Sequence, residues 1–222
     1  MSLYLRIDGT DWRNIYVVGD LHGCYPLFTS KLASCQFEKD QDLMISVGDL
    51  IDRGTHNLEC LELITQKWFR AVQGNHEQMA IVGSKHEVSR DHWLNNGGGW
   101  FFQLNETPMH RARILLEETA RLPLVIEVNS GDRRYVIAHA DYPGHDYAFD
   151  KPIDAQRVVW NRSRISEATR GVGTSINGAD LFIFGHTPVL RPLRFLNLYY
   201  IDTGAVFTGN LTMIQIQGLS HH

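Results

Sequence analysis

Two carboxylates and a guanidinium lie close together in Gly48-Asp49-Leu50-Ile51-Asp52-Arg53-Gly54. One carboxylate can bridge two cations, a second can orient an imidazole, and a guanidinium fork matches a phosphate. We read Asp49, Asp52 and Arg53 in those roles. Further donors recur along the chain. Asp20 and His22 stand in Gly19-Asp20-Leu21-His22-Gly23, and Asn75 in Gly74-Asn75-His76-Glu77. His139 stands in His139-Ala140-Asp141, and His186 in Gly185-His186-Thr187-Pro188. Imidazole, carboxylate and amide donors without a thiolate suit Mn, Fe or Zn better than Ca or Mg. Asp20, His22, Asp49, Asn75, His139 and His186 are too many for one open four-coordinate site. They fit two ions that share a carboxylate and keep positions open for water. Such ions, roughly 3.5–4 Å apart, clamp a phosphoryl group and draw the pKa of a bound water towards ~7. That chemistry needs no Ser or Cys nucleophile.

Each donor follows a short apolar run. Ile15-Tyr16-Val17-Val18, Leu43-Met44-Ile45-Ser46-Val47 and Phe69-Arg70-Ala71-Val72 read as buried strands. The spacing of Leu27, Phe28, Lys31 and Leu32 predicts a helix from about Tyr25 to Cys35, and Leu58, Leu61 and Ile64 predict another. Strand, helix, strand, helix, strand signals a parallel α/β arrangement, whose ligands bind beyond the carboxyl ends of the strands. Leu124–Val128 and Arg134–Ala138 read as a hairpin around Asn129-Ser130-Gly131-Asp132. Leu181–Phe184, Leu198–Ile201 and Leu211–Ile216 are later strands. Between them, Trp93, Trp100, Phe101, Phe102, Leu104, Ile114, Leu115 and Leu116 fall at helical spacings around a break at Asn96-Gly97-Gly98-Gly99. Residues 86–120 therefore predict two or three helices forming a flank or cap, with core packing the simpler role for the aromatics.

The chain has 222 residues, 43% hydrophobic and 21% charged, which suits one domain spanning 1–218. A net charge of −4 gives no broad basic footprint for nucleic acid, so an anionic substrate must be drawn by metals or a few Arg. No apolar run approaches the ~20 residues of a membrane span. Cys24, Cys35 and Cys60 form no CxxC and are odd in number, which argues against a disulfide framework and for a reducing cytoplasm. Residues 219–222, ending in His221-His222, read as a cloning remnant.

The Gly19–Gly23, Gly48–Gly54 and Gly74–Glu77 motifs resemble the three signatures of the phosphoprotein phosphatase branch of the metallophosphoesterases. His139-Ala140 and Gly185-His186-Thr187-Pro188 resemble its two later histidine motifs. The likeness runs from Ile15 to about Ile216 and is strongest to the small phosphatases of bacteriophage lambda and bacteria. It implies an α/β four-layer sandwich, with central mixed β-sheets flanked by helices and the site at the carboxyl ends of strands. It implies two divalent ions, Mn before Fe or Zn. Asp20, His22 and Asp49 would hold the first, and Asp49, Asn75, His139 and His186 the second. Arg53 and Arg162, the latter in Trp160-Asn161-Arg162, would grip the substrate phosphate together with Asn75 and His76. His76 would be the general acid for the leaving alkoxide, and Asp52 would fix its tautomer and raise its pKa. The family usually carries Arg before Gly-Asn-His-Glu, where this chain has Gln73; a missing cation there would weaken the positive field.

The resemblance implies hydrolysis of phosphoserine and phosphothreonine in proteins or peptides, with phosphotyrosine a further candidate. Attack would be in line, without a phosphoenzyme. Two other readings stand beside it: a dinucleoside-polyphosphate hydrolase of the same branch, and an inactive phosphate-binding module. Glu77 reads as a support rather than a ligand, Cys24 as packing, and His145 as a solvated loop residue.

Overall fold

The computed structural model describes residues 3–218, so the expected remnant at 219–222 lies outside the described residues. Two sheets share an apolar layer. The first has the order β10–β2–β3–β4, built from β2 (Ile15–Val18), β3 (Leu43–Ser46), β4 (Phe69–Ala71) and β10 (Met213–Gln217). In it β2, β3 and β4 run parallel, and β10 is antiparallel to β2. The second has the order β1–β5–β6–β7–β9–β8. Its strands are β1 (Tyr4–Asp8), β5 (Val125–Ser130), β6 (Arg133–Ala138), β7 (Leu181–Phe184), β8 (Leu193–Phe195) and β9 (Leu198–Tyr200).

Side chains alternate across a strand, so each apolar run serves two layers. Ile15, Val17, Leu43 and Ile45 meet Ile126, Val128, Ile137 and Ile183 between the sheets. Tyr16, Val18, Met44 and Phe69 face the other way, onto helices α1 (Tyr25–Ser34), α2 (Asn57–Glu62), α3 (Asn75–Gly83), α4 (Glu87–Trp93), α5 (Gly99–Phe102) and α6 (Glu106–Thr119). Val136, Ala138, Phe182 and Phe184 pack on α7 (Ala155–Trp160) and α8 (Ser163–Thr169) through Val158, Val159, Ile165 and Ala168. Helix, sheet, sheet, helix is the expected four-layer sandwich. A short α9 (Ala205–Thr208) follows β9.

The predicted parallel unit and hairpin form with small boundary shifts: β5 and β6 pair antiparallel across Gly131-Asp132. The edge strands β1 and β8 are additional. Both are short and part-exposed, and Arg6, Asp8 and Arg194 interrupt their apolar pattern. The expected break at 96–99 is a kink rather than an end. The chain makes a π-helical turn over Leu94–Gly98, with Gly97 at φ 103°, and continues into α5.

Candidate metal centre

The carboxyl ends of β2, β3 and β4 meet those of β6, β7 and β9 at one edge. The loops there carry backbone that side chains rarely adopt: φ is 42° at His22, 50° at Asp49, 76° at Asp52, 71° at Arg53 and 69° at His186. Left-handed backbone costs a non-glycine residue roughly 1–2 kcal/mol, less for Asp and His. The loops are held there by mutual hydrogen bonds. Leu21 and His22 donate their N–H groups to Asp49 O at 3.1 and 2.9 Å, and Gly185 N–H donates to His139 O at 2.8 Å. Glu77 ties the rest together: its carboxylate accepts the N–H groups of Asp49 (3.0 Å), Leu50 (2.8 Å) and Gly74 (2.8 Å). It is a strut, as its sequence context indicated. Gly74 is required by close approach, because a β-carbon there would overlap Asp49 Oδ1.

Two sets of donor atoms result, each within 4.8 Å: His22, Asp49 and His76, and Asp49, His139 and His186. Asp49 belongs to both. Asn75 joins the second set, with Oδ1 2.9 Å from His139 Nε2 and 2.9 Å from His186 Nδ1. Asp20 belongs to neither compact set; its carboxylate is buried beside them and accepts the His186 N–H at 3.0–3.2 Å. The tautomers follow from the outer partners. His22 Nδ1–H donates to Ile51 O at 2.8 Å and His139 Nδ1–H to Val47 O at 2.7 Å. Each Nε2 therefore turns inward, and that of His139 confronts Asn75 Oδ1 at 2.9 Å and Asp49 Oδ1 at 3.3 Å.

Lone pairs aimed at one another are stable only around positive charge. Asp20, Asp49, Glu77 and Asp202 are all buried in this region. Burial, then Asp202 and Asp49, pushes Asp20 well above the ordinary carboxylate range. Burial and Asp49 push Glu77 up to about 7, and burial raises Asp202 to about 6. Burial would also raise Asp49, but His139, His76 and His22 outweigh it and hold Asp49 well down. Burial pushes His22 and His186 down to about 3, which keeps their nitrogen lone pairs free. Burial would lower the His139 pKa, but Asp49 raises it, a proton's charge that a bound cation would replace. Mixed N/O donors, unprotonated imidazoles at His22 and His186, and surplus carboxylate fit divalent cations.

His76 heads α3, so its backbone N–H can reach Asp49 Oδ1, at 3.0 Å. Its ring Nδ1 lies 2.7 Å from Asp52 Oδ2. Burial would lower the His76 pKa, but Asp49 and the Asp52 hydrogen bond raise it. Nε2 faces the cluster, 4.0 Å from Asp49 Oδ2. Arg53 and Arg162 stand at opposite sides and are exposed. Arg53 Nη1 donates to His22 Nε2 at 2.6 Å, and Arg162 Nε to His186 Nε2 at 3.2 Å. Gln73 is turned elsewhere: Nε2 donates to Thr119 O at 2.8 Å, and Oε1 accepts from Gln78 at 3.1 Å. His145 is an exposed loop residue against Thr174.

Sequence reasoning missed several supports. Asp202 follows β9 as the other acids follow their strands, and Asp202-Thr203-Gly204 was the available signal. Asp141 accepts from Arg164 Nε at 2.6 Å and Asn161 Nδ2 at 2.7 Å, anchoring the segment that carries Arg162. Trp93 and Trp100 both donate to Asp52.

Two donor sets sharing a carboxylate are the arrangement a two-metal hydrolase requires, and guanidinium groups on both flanks suit a phosphoryl substrate. The family model "calcineurin-like phosphoesterase" matches residues 13–190, and the chain belongs to that family. It is 46% identical to serine/threonine-protein phosphatase 1 of Salmonella typhimurium, over 97% of this chain and 98% of that one. It is 30% identical to an asymmetrical bis(5'-nucleosyl)-tetraphosphatase of Geobacillus thermodenitrificans, over 91% and 90% of the two chains. A serine/threonine phosphatase from Saccharomyces cerevisiae superposes with a TM-score of 0.56 at 14% identity, covering 100% of this chain and 85% of that one, which shows a shared fold.

Proposed function

We propose that the chain is a metal-dependent phosphoprotein phosphatase, one catalytic domain over 1–218, that hydrolyses phosphoserine and phosphothreonine monoesters in proteins or peptides. Asp20, His22 and Asp49 would hold one divalent ion, and Asp49, Asn75, His139 and His186 the other. Manganese suits this N/O donor set, with iron or zinc as alternatives. When bound, the ions neutralise phosphoryl oxygens and lower the pKa of water. Arg53 and Arg162 exchange their histidine contacts for phosphate oxygens, gripping the group from both sides and stabilising charge that grows in the transition state. Water attacks phosphorus in line, without a phosphoenzyme. The bond from phosphorus to the ester oxygen breaks with its electron pair on that oxygen, and His76 Nε2 supplies the proton that neutralises it. Asp52 holds the ring and stabilises the imidazolium.

The observation that carries this reading is the 2.7 Å His76–Asp52 hydrogen bond beside the donor cluster. A serine alkoxide is a poor leaving group and needs an acid. A phosphate-binding module needs none, and a polyphosphate leaving group needs one far less. The 46% identity to a protein phosphatase, against 30% to a tetraphosphatase, points the same way. The three unpaired cysteines suit a reducing cytoplasm, and among the described residues no helix is long and apolar enough to cross a membrane. Manganese-dependent phosphate release from p-nitrophenyl phosphate separates enzyme from binder. Faster turnover of a phosphoserine peptide than of diadenosine tetraphosphate then supports the phosphoprotein reading, and the reverse order overturns it.

A further inference from the structure

Asp52 is fully buried and receives more than His76. Trp100 Nε1 donates to Oδ1 at 2.8 Å, and Trp93 Nε1 lies astride both oxygens at 3.0 and 2.9 Å. The main-chain N–H of Asp52 is taken by Asn57 Oδ1 at 2.8 Å. Two indoles on one carboxylate is not what the spacing of Trp93 and Trp100 would give in a plain helix. A rise of ~1.5 Å per residue would separate them by roughly 10 Å along the axis. The π-helical turn and the Gly97 kink instead bring the rings to 6.3 Å at 89°. Gly98 makes room, because a β-carbon there would meet the Trp93 indole at 2.5 Å. A buried indole needs some acceptor for its N–H. Here both reach the acceptor that already holds the catalytic imidazole, and hydrogen bonds to a carboxylate are about twice as strong as neutral ones.

We propose that Trp93 and Trp100 are positioning residues for the general acid. Their N–H groups occupy the acceptor sites of Asp52 that His76 leaves, so the carboxylate keeps the rotamer that directs Oδ2 at His76 Nδ1. With Nδ1–H fixed in that bond, the proton on Nε2 points at the ester oxygen. The helical flank over 86–120 thus does more than fill the core: it sets the acid from behind, without touching substrate.

The inference rests on the phosphatase reading, and Trp→Phe substitution in the metal-loaded full-length chain tests it by keeping a ring and deleting the N–H. Trp100→Phe and Trp93→Phe should each lower kcat on phenyl phosphate about 10–100-fold, part of the range a positioned acid supplies. On 2,4-dinitrophenyl phosphate, whose leaving group needs no acid, the loss should stay within about threefold. KM and metal content should hold. On an Asp52→Asn background, Trp100→Phe should add no further loss, because residues that act as a unit are not additive. Equal losses on the two esters, no loss on phenyl phosphate, or a full additional loss on Asp52→Asn would each overturn the assignment. Should the fully buried Trp93→Phe fail to fold, the half-buried Trp100→Phe decides alone. A wild-type chain that hydrolyses neither ester would sink the phosphatase reading itself, a distinct result.

Discussion

At the level of single residues, the proposed roles separate cation holding from proton delivery. His76→Asn should retain both ions and lower kcat on an alkyl phosphate by about 10²–10⁴, but much less on an aryl phosphate with a good leaving group. Steady-state kinetics on the two esters checks this, and matching losses count against His76 as the acid. The His76 pKa is raised in the folded chain, by Asp49 and Asp52 against burial. Its acid form is therefore complete below the ordinary imidazole range and is lost as pH rises through the raised value. Alkyl-phosphate turnover should show that alkaline fall, and His76→Asn should lack it. Asp49→Ala removes the carboxylate common to both donor sets. It should lose metal and activity together, as elemental analysis would show; two retained ions would exclude a bridging Asp49. These residues were legible because each stands in a glycine-bearing loop within five positions of the end of an apolar run. Asp202 obeys the same rule but lay outside the recognised motifs, and the Trp–Asp52 bonds depend on tertiary folding that spacing does not encode.

At the level of elements, strand type was legible where the run was continuously apolar and buried on both faces, as in β2, β3 and β7, and failed at the half-exposed edges β1 and β8. The flank between α4 and α6 was visible as aromatic periodicity, but its use was not. Gly97 shows why. Its carbonyl accepts the Arg53 N–H at 3.3 Å, and a β-carbon on it would lie 2.8 Å from both Arg53 N and Cγ. The turn that bends the flank also seats Arg53, the arginine proposed to grip phosphate. Gly97→Ala combines a φ of 103° with that overlap. It should displace Arg53 and raise KM about tenfold, equivalent to ~1.4 kcal/mol, without loss of metal. An unchanged KM in a folded variant would detach the flank from substrate binding.

For the molecule as a whole, the two sheets act as jaws that bring a histidine from one close to a carboxylate from the other. The apolar layer between them supplies the energy. Full burial of a Val, Ile or Leu stabilises by about 1.5–3 kcal/mol, so a few of the inter-sheet side chains offset the left-handed backbone at the edge. The remaining tension is electrostatic. Burial raises Glu77 to about 7 and Asp202 to about 6, above their ordinary values. Glu77 and Asp202 thus bind extra protons in the folded chain, whereas His22 and His186, held down to about 3, bind fewer and offset them below about 6.5. Above that the raised carboxyls prevail, and stability falls as pH rises through about 7. Protein stripped by chelator should melt lower at about pH 8 than at about pH 6.5. Reloading with manganese should flatten the profile, since the cation takes over from the protons; parallel profiles with and without metal would contradict this. The unusual φ angles at His22, Asp49, Asp52, Arg53 and His186 carry a final consequence for protein engineering. Glycine at any of them would relax the main chain, so a screen that selects only for heat tolerance can enrich changes there that erase the function. Efforts to harden this scaffold belong on the outer helices, with turnover scored alongside melting in every round.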